Sequence, residues 1–509
     1  MMSLNKVDCK NNFLQLFFWS LCSIAFFFFA YPNSIYSNPV FIFMLLILLN
    51  VLIFQKKNYA KYIYLLASLG YSAVFYWLYY PCYRYGQIPL IVSCCFPVLL
   101  GLYLGGYVLL YYLIVRWAKK YLSFLGLAFF AACLWMALEI IREFFLTGFP
   151  WPDLALICAP YPYLIQIIQF IGAKGLAFCI IFISFLIIKK RYVYLSTGLI
   201  IFFIIINFFL LHYRTGVFAK LKSALIQASI DQEHKWDPKY QLFTLNTYLK
   251  LSQKAVQQGA RFIVWPETCM PFYFQENNFL SNKIKAFARK YKVYLLFGSP
   301  GYKFISNTKY LLFNRAYLID TKGKVIGFYD KQKLVPFGEY LPCKFLSSIF
   351  GFFYKGVGTF SSGTSIEPLK IKKLALGVLI CYEIIFSHLV NQRVRAGAEC
   401  LVNISNDAWF GHTSGPYQHL YLAVLRAVEQ RRFLLRCTNS GISAFVSSKG
   451  IILKKLDLFK RNYLIGDLGV SQKKSFFCRY FYFIYAFPFL IIIFMFLKII
   501  FQGLGQEND

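Results

Sequence analysis

Three apolar segments of the chain each end on a reactive side chain. Glu267 follows IVWP, Lys331 follows AYLIDTKGKVIGFYD, and Cys381 follows LALGVLI. In α/β folds ligands gather at the C-terminal ends of strands, so the shared position counts for more than any one residue. A thiol there is a nucleophile. The helix-like stretch EIIFSHLVNQRVRAG behind it would bring backbone N–H groups, which lower a thiol pKa and can line an oxyanion hole. A glutamate among apolar neighbours, its pKa raised by them, suits a general base. A lysine held near a carboxylate can stabilise an oxyanion as charge develops, and Glu339 stands eight residues after Lys331. Each has a plainer explanation when taken singly: a strand-end glutamate paired with a lysine, a solvated lysine, a buried cysteine. Together they provide the nucleophile, base and cation that covalent acyl transfer needs. Glu383, two residues past the thiol, would be an odd choice for an inert core.

The elements that must position these groups lie between about 220 and 470. Short apolar, β-branched runs at 223–230, 261–265, 293–299, 374–380 and 400–405 have the length and composition of buried strands. Helical patterns at 281–291, 384–397 and 416–433 alternate with them, and 316–330 has the form of a hairpin turning at Gly323. This alternation predicts an α/β domain whose sheets are covered by helices.

The rest of the chain is different in kind. Of the 509 residues 59% are hydrophobic and the mean hydropathy is +0.54, above the roughly 45–50% apolar share of globular domains. Seven apolar runs precede residue 213, at about 13–31, 38–54, 61–80, 88–115, 121–141, 163–188 and 192–212, and an eighth covers 476–500. Each approaches the roughly 20 residues that cross a hydrocarbon core. This divides the chain into a seven-helix membrane domain (1–212), an α/β domain (220–470) and a C-terminal membrane helix (476–500). Basic residues fill alternate gaps: Lys6 and Lys10, then Lys56, Lys57 and Lys61, then Arg116, Lys119 and Lys120, then Lys189, Lys190 and Arg191. The other gaps hold only Arg84 and Arg142. The positive-inside rule puts the charged gaps in the cytoplasm and residue 213 on the outer side. Lys6 and Lys10 precede an apolar run with no small-residue cleavage site after it, so the first helix is expected to be retained.

The formal charge of +33, from 54 Lys+Arg against 21 Asp+Glu, fits anionic headgroups beside the spans better than nucleic acid, because the basic residues also sit in the gaps between apolar runs. The 14 cysteines contain no C-x-x-C, and the 5 histidines lack metal spacing, so neither a metal nor another cofactor is expected. Whether Cys400 and Cys437 pair is left open. His388 could suggest a Cys-His dyad, but Glu267 and Lys331 already fill those roles. The 20% aromatic share belongs to membrane helices and their interfacial belts. The helices carry few intramembrane charges, with Glu139 the main exception, which argues against a transport path.

IVWPE, YDKQKL and the strand-end CYE resemble the Glu-Lys-Cys triad of the nitrilase superfamily. FYDKQKLVPFGEYLP, SNDAWFG (405–411) and TGFPW (147–151) are more specific, and resemble the apolipoprotein N-acyltransferases over nearly the whole chain. Lys333 departs from the histidine that many nitrilases carry in K-x-H-L. The resemblance implies an α-β-β-α sandwich on a polytopic helical membrane domain. It also implies Cys381 as nucleophile, Glu267 as base, Lys331 as oxyanion-stabilising cation and Glu339 as a supporting carboxylate. Tyr382 and Glu383 complete CYE, with the Tyr382 amide a candidate oxyanion donor. Trp236 matches a tryptophan the family needs, Trp409 and Phe410 match pocket-lining aromatics, and 351–363 would form a mobile lid or arm. The implied reaction is two-step acyl transfer. A phospholipid, typically phosphatidylethanolamine, donates to the thiol, and the α-amine of a diacylglyceryl-cysteine apolipoprotein accepts, at the periplasmic face of a bacterial inner membrane. A membrane-tethered amidohydrolase, with water resolving the thioester, is the alternative.

Overall fold

In the computed structural model, which describes residues 9–213, 218–233, 235–340 and 360–506, twelve strands form two six-stranded sheets. The first has the order β12-β1-β2-β3-β4-β5, with β1 Phe218–Gln227, β2 Phe262–Val264, β3 Tyr294–Phe304, β4 Tyr310–Ile319, β5 Val325–Asp330 and β12 Asn462–Val470. The second has the order β11-β10-β9-β8-β7-β6, with β6 Leu369–Ile371, β7 Leu374–Ile380, β8 Cys400–Ser405, β9 Leu434–Thr438, β10 Ser443–Val446 and β11 Ile452–Leu456. The central strands β1-β2-β3 and β7-β8-β9 run parallel, and the outer pairings are antiparallel.

Period-2 alternation explains the layering, since successive side chains of a strand point to opposite faces. Phe262 and Val264 of β2 pack against Val378 and Ile380 of β7 and Val402 and Ile404 of β8 in the core between the sheets. The intervening Ile263, with Trp265 after it, packs outward with Leu245 and Tyr248 of the helix Pro238–Gln257 and Ile284 of the helix Phe279–Tyr291. On the second sheet Leu379 and Leu401 face outward, toward Leu389 of the helix Ser387–Arg395 and Leu425 of Gly415–Gln430. The result is the expected α-β-β-α sandwich. The predicted hairpin is also present, with Gly323 at φ +73° in its turn.

Five helices among the described residues are long and apolar enough to cross a membrane: Leu90–Ala118, Phe124–Phe144, Ile168–Ile187, Lys190–His212 and Phe481–Ile500. Phe18–Ala30 and Val40–Phe54 are shorter apolar helices. The predicted run 61–80 holds a helix, Ala60–Val74, that is shorter than the run. It breaks after Val74 into a 3-10 turn, Tyr76–Leu78, and a short helix, Tyr79–Arg84. Arg142, expected in an outer gap, lies inside Phe124–Phe144 and is buried.

That burial belongs to a charged cluster that the sparse intramembrane charges did not foretell. Arg142 lies 3.7 Å from Glu139 and 3.6 Å from Asp153, and Lys174 pairs with Asp153 and lies 3.9 Å from Glu143. From the sandwich, Arg426 reaches Asp153 at 3.8 Å and Glu429 at 3.0 Å, while His388 Nδ1 lies 2.8 Å from Glu143. Around it one continuous apolar core joins Leu127, Ala131 and Leu176 of the spans to Leu389, Leu420 and Val424 of the sandwich. The second sheet's helices therefore have the membrane helices as their outer cover.

Candidate active site

Glu267 is delivered by a tight turn. After β2, Trp265 anchors the chain by donating from Nε1 to Ser252 Oγ at 2.9 Å, and Thr268 adopts φ +40°. The turn lies flat on β3 at Gly298, whose N–H donates to Pro266 O at 3.1 Å. A Cβ on Gly298 would come within 2.4 Å of Thr268 N, so only glycine allows this approach.

Lys331 follows β5, where Asp330 is fixed by a two-pronged pair with Arg315 at 2.6 and 2.9 Å. Its Nζ, almost fully buried, donates to Glu267 Oε1 at 3.1 Å and Glu339 Oε1 at 2.9 Å. Asn314 of β4 doubles this bridge, its Nδ2 donating to the same two oxygens at 2.7 and 2.9 Å. The other oxygens are also held, Glu267 Oε2 by the Asn406 N–H at 3.0 Å and Glu339 Oε2 by the Val335 N–H at 2.8 Å.

Cys381 arrives from the second sheet at the end of β7. It has φ +52°, a strained conformation for a side chain other than glycine, of the kind that collects at functional sites. Its carbonyl is held by Asn403 Nδ2 at 3.4 Å and His419 Nε2 at 3.3 Å. Burial first, then Arg436, lowers the His419 pKa. Its Nδ1 lies 3.0 Å from both Asp407 Oδ1 and Arg436 Nη2, so the ring, the carboxylate and the guanidinium form one network behind the thiol. Asp407 in turn takes Arg436 at 2.7 Å and Ser405 at 2.8 Å.

The electrostatics reverse two expectations. Burial does push the Glu267 carboxyl up, but Lys331, Asn314 and Lys235 outweigh it, and its pKa is lowered. The Cys381 thiol is not acidified by the turn behind it. Burial and then Glu267 raise it well above its ordinary value, against a smaller opposing effect of Lys331. Lys331 is held protonated, Glu267 and Glu339 overcoming the effect of burial. The resting arrangement is carboxylate, ammonium and neutral thiol. The carboxylate is therefore ready to accept a proton, and the thiol releases one only when a new bond or charge compensates.

The remaining predicted residues fall into three groups. Glu383 is a buried clamp: Oε1 accepts from Tyr329 OH at 2.6 Å, Gln332 N at 2.6 Å and Lys333 N at 3.2 Å, and Oε2 from Ile380 N at 2.7 Å. It thus ties the lysine loop to the cysteine turn. Tyr382, Trp409 and Phe410 join an aromatic wall shared with the membrane half. Tyr382 OH donates to Gly148 O at 3.1 Å, Trp409 meets Tyr85 at 4.8 Å, and Phe410 meets Trp77 at 4.8 Å and Trp151 at 5.8 Å. Trp236 stands apart, 49% exposed. Residues 351–359 of the expected lid lie outside the described residues.

His388 faces Glu143, whereas His419 is the histidine on the Cys381 carbonyl. Asn314, His419, Asp407 and Lys235 were not singled out from sequence. A polar pair inside the apolar strand YLLFNRAYLI was the one available signal for Asn314. Among the described residues no group of three His, Cys, Asp or Glu side chains could hold a metal, and Cys400 and Cys437 are both free.

Two family patterns divide the chain. That of the apolipoprotein N-acyltransferase N-terminal domain matches residues 16–186, and that of the carbon-nitrogen hydrolases matches 222–475. An apolipoprotein N-acyltransferase of Geobacter metallireducens is 39% identical over 428 residues, 81% of each chain. One of Haemophilus ducreyi is 32% identical, covering 84% of this chain and 86% of its own. One of Wigglesworthia glossinidia brevipalpis is 32% identical, covering 90% and 91%. Among solved structures, Nit3 of Saccharomyces cerevisiae, of the nitrilase superfamily, aligns with 50% of this chain and 91% of its own, at 20% identity and a TM-score of 0.39. An amidase of Nesterenkonia aligns with 49% and 90%, at 19% identity and a TM-score of 0.38.

Proposed function

The chain belongs to the apolipoprotein N-acyltransferases, acyltransferases of bacterial membranes, and from that membership we propose that it moves an acyl chain from a phospholipid to an apolipoprotein through a thioester on Cys381. The observation that carries the reading is the meeting of three strand ends: a lysine bridging two carboxylates from one sheet, and a strained thiol from the other whose main charged influences are Glu267 and Lys331.

In the first half-reaction the thiol proton passes to Glu267 as sulfur attacks an ester carbonyl of phosphatidylethanolamine. Lys331 and the Tyr382 amide hold the oxyanion, and collapse expels lysophospholipid, which takes the proton from Glu267. The raised thiol pKa favours coupling deprotonation to attack, because a free thiolate would be costly in this buried site. In the second half-reaction Glu267 takes a proton from the α-amine of a diacylglyceryl-cysteine as nitrogen attacks the thioester. Cys381 leaves and is reprotonated. Glu339 keeps Lys331 charged and aimed throughout.

Trp236, Trp409 and Phe410 would border the lipid path. The charged gaps assign the N-terminus to the cytoplasm and residues 220–470 to the periplasmic side of the inner membrane, which fixes the sandwich at the headgroup layer and lowers the entropic cost of meeting two lipid substrates.

The test is mass spectrometry of the protein incubated with phosphatidylethanolamine alone. An acyl adduct on Cys381, released by hydroxylamine, is the expected result, and its absence defeats the reading. Addition of a diacylated lipopeptide then separates transfer from hydrolysis, since N-acyl peptide supports the proposal and free fatty acid supports the amidohydrolase.

A further inference from the structure

Among the described residues Lys235 is the one buried lysine near Glu267 and Lys331 for which the mechanism above has no use. It precedes Trp236 in the turn before the helix Pro238–Gln257 and is only 2% exposed, an unusual place for an ammonium. Its Nζ donates to Thr268 Oγ1 at 2.8 Å and approaches the Glu267 carbonyl oxygen at 3.5 Å. Both acceptors are neutral. Among the described residues it makes no ion pair, whereas Lys331 makes two. The titratable groups acting on it are Glu267 and Cys269 from the strand-end turn and Cys381 from the opposite sheet.

Counting charges gives this lysine a purpose. Glu267 and Glu339 carry two negative charges, and Lys331 balances one. Lys235 balances the other, which makes the resting cluster neutral before any proton moves. Without it the cluster is net negative, which raises the Glu267 pKa and opposes any negative charge appearing on sulfur or carbonyl oxygen.

We propose that Lys235 is a second, electrostatic positioning residue of the site: its ammonium braces the strained Glu267–Thr268 turn and, by its charge, keeps Glu267 ionised and ready as a base. It touches no reacting atom and acts through Glu267. Glu267 is lowered in part by Lys235, in keeping with this role, and burial lowers Lys235 itself to about 8, so the cation is present at neutral pH and fades in mild alkali.

The inference rests on Glu267 serving Cys381, but its test does not need the lipid donor. Alkylation of Cys381 by iodoacetamide, followed on the Cys381 peptide by mass spectrometry, is measured from pH 4 to 10 on the full-length detergent-solubilised protein. In Lys235→Met the acid limb of the rate moves up by about one pH unit, with alkylation near that limb about tenfold slower. Lys235→Arg keeps the wild-type limb. At pH 9.5, where Glu267 is ionised in every variant, Lys235→Arg reacts severalfold faster than wild type, because the guanidinium keeps the charge that favours negative charge on sulfur where the amine has lost it. An unmoved acid limb in Lys235→Met overturns the proposal, as does a limb displaced equally in both variants. If Lys235→Met does not fold, the comparison at pH 9.5 decides alone, and equal rates there refute the charge role. A wild type that alkylates normally yet forms no acyl adduct with phospholipid would defeat the proposed function and leave this result standing.

Discussion

Two groups of buried charges lie in this molecule, and they differ in what holds them. At the candidate active site the charges stand on strand ends and tight turns: Glu267 and Lys331 in the first sheet, with the thiol facing them from the second. Each carboxylate oxygen of Glu267 and Glu339 has a donor. At the junction with the membrane half, Glu139, Arg142, Glu143, Lys174, Arg426 and Glu429 stand on helix faces. Several of their pairings are long, at 3.6–3.9 Å, and Glu139 Oε2 and Arg142 Nε have no hydrogen-bond partner in the structure. The first group surrounds a strained thiol. The second fastens one packed surface to another. Burial of charge alone does not mark a catalytic site, and neither does a fully bonded carboxylate, since Glu143 and Glu429 at the junction also have a donor on each oxygen. What sets the first group apart is the reactive thiol beside it.

Substitutions can break that comparison or sharpen it. The largest effect is expected from Glu267→Gln, which keeps the shape and removes the base. Thioester formation falls by about 10²–10⁴-fold, with little change in the thermal midpoint, as read by adduct accumulation and by calorimetry. Lys174→Met should do the reverse. Leaving Asp153 and Glu143 without their buried lysine costs about 3–5 kcal/mol of stability, while the rate per folded molecule is preserved. A lost rate with normal stability would mean that the junction takes part in catalysis.

Asp407 lies behind Cys381 within the sandwich, through His419, and tests the boundary between the two roles. Burial would raise its carboxyl, but Arg436 and His419 hold it well below the usual carboxylate range. A group depressed on folding stabilises above its unfolded value of about 3.9, and that contribution is lost as pH falls through the folded one. Asp407→Asn should remove this acid dependence and cost about 1.5–3 kcal/mol at pH 7. Denaturant midpoints measured across pH 2–7 check the slope, and a variant with an unchanged slope refutes the assignment. The smallest effect is expected from Arg84→Gln. Arg84 and Glu233 also join the two halves, at 2.6 Å, but both are about half exposed. Screening leaves less than about 1 kcal/mol there, so the melting point should hold within experimental error at 0.15 M salt.

Much of the sandwich was legible because a strand buried on both faces has few equals in composition. The segments 374–380 and 400–405 match β7 and β8 residue for residue. The membrane helices were legible for the same reason, except where polar and turn-forming residues interrupt an apolar run. The segment 61–80 is one run by hydropathy and three elements in space. Two pKa directions were misjudged for a common reason. Lys331, Asn314 and Lys235, which outweigh burial at Glu267, and Glu267, which adds to the burial of Cys381, all lie 32 or more residues away along the chain.

Residue types and their strand-end positions along the chain were enough to mark a thiol, a carboxylate and an ammonium as candidates, because apolar periodicity and chemical type are local properties of a chain. Which of those charges meet, and which way each titrates, was left to the fold. So was the choice of His419 over His388 behind the thiol, and the meeting of Asp153 with Arg426. Those outcomes depend on how two sheets and a helical bundle close on one another, and electrostatic energies follow distances through space rather than separations along the sequence.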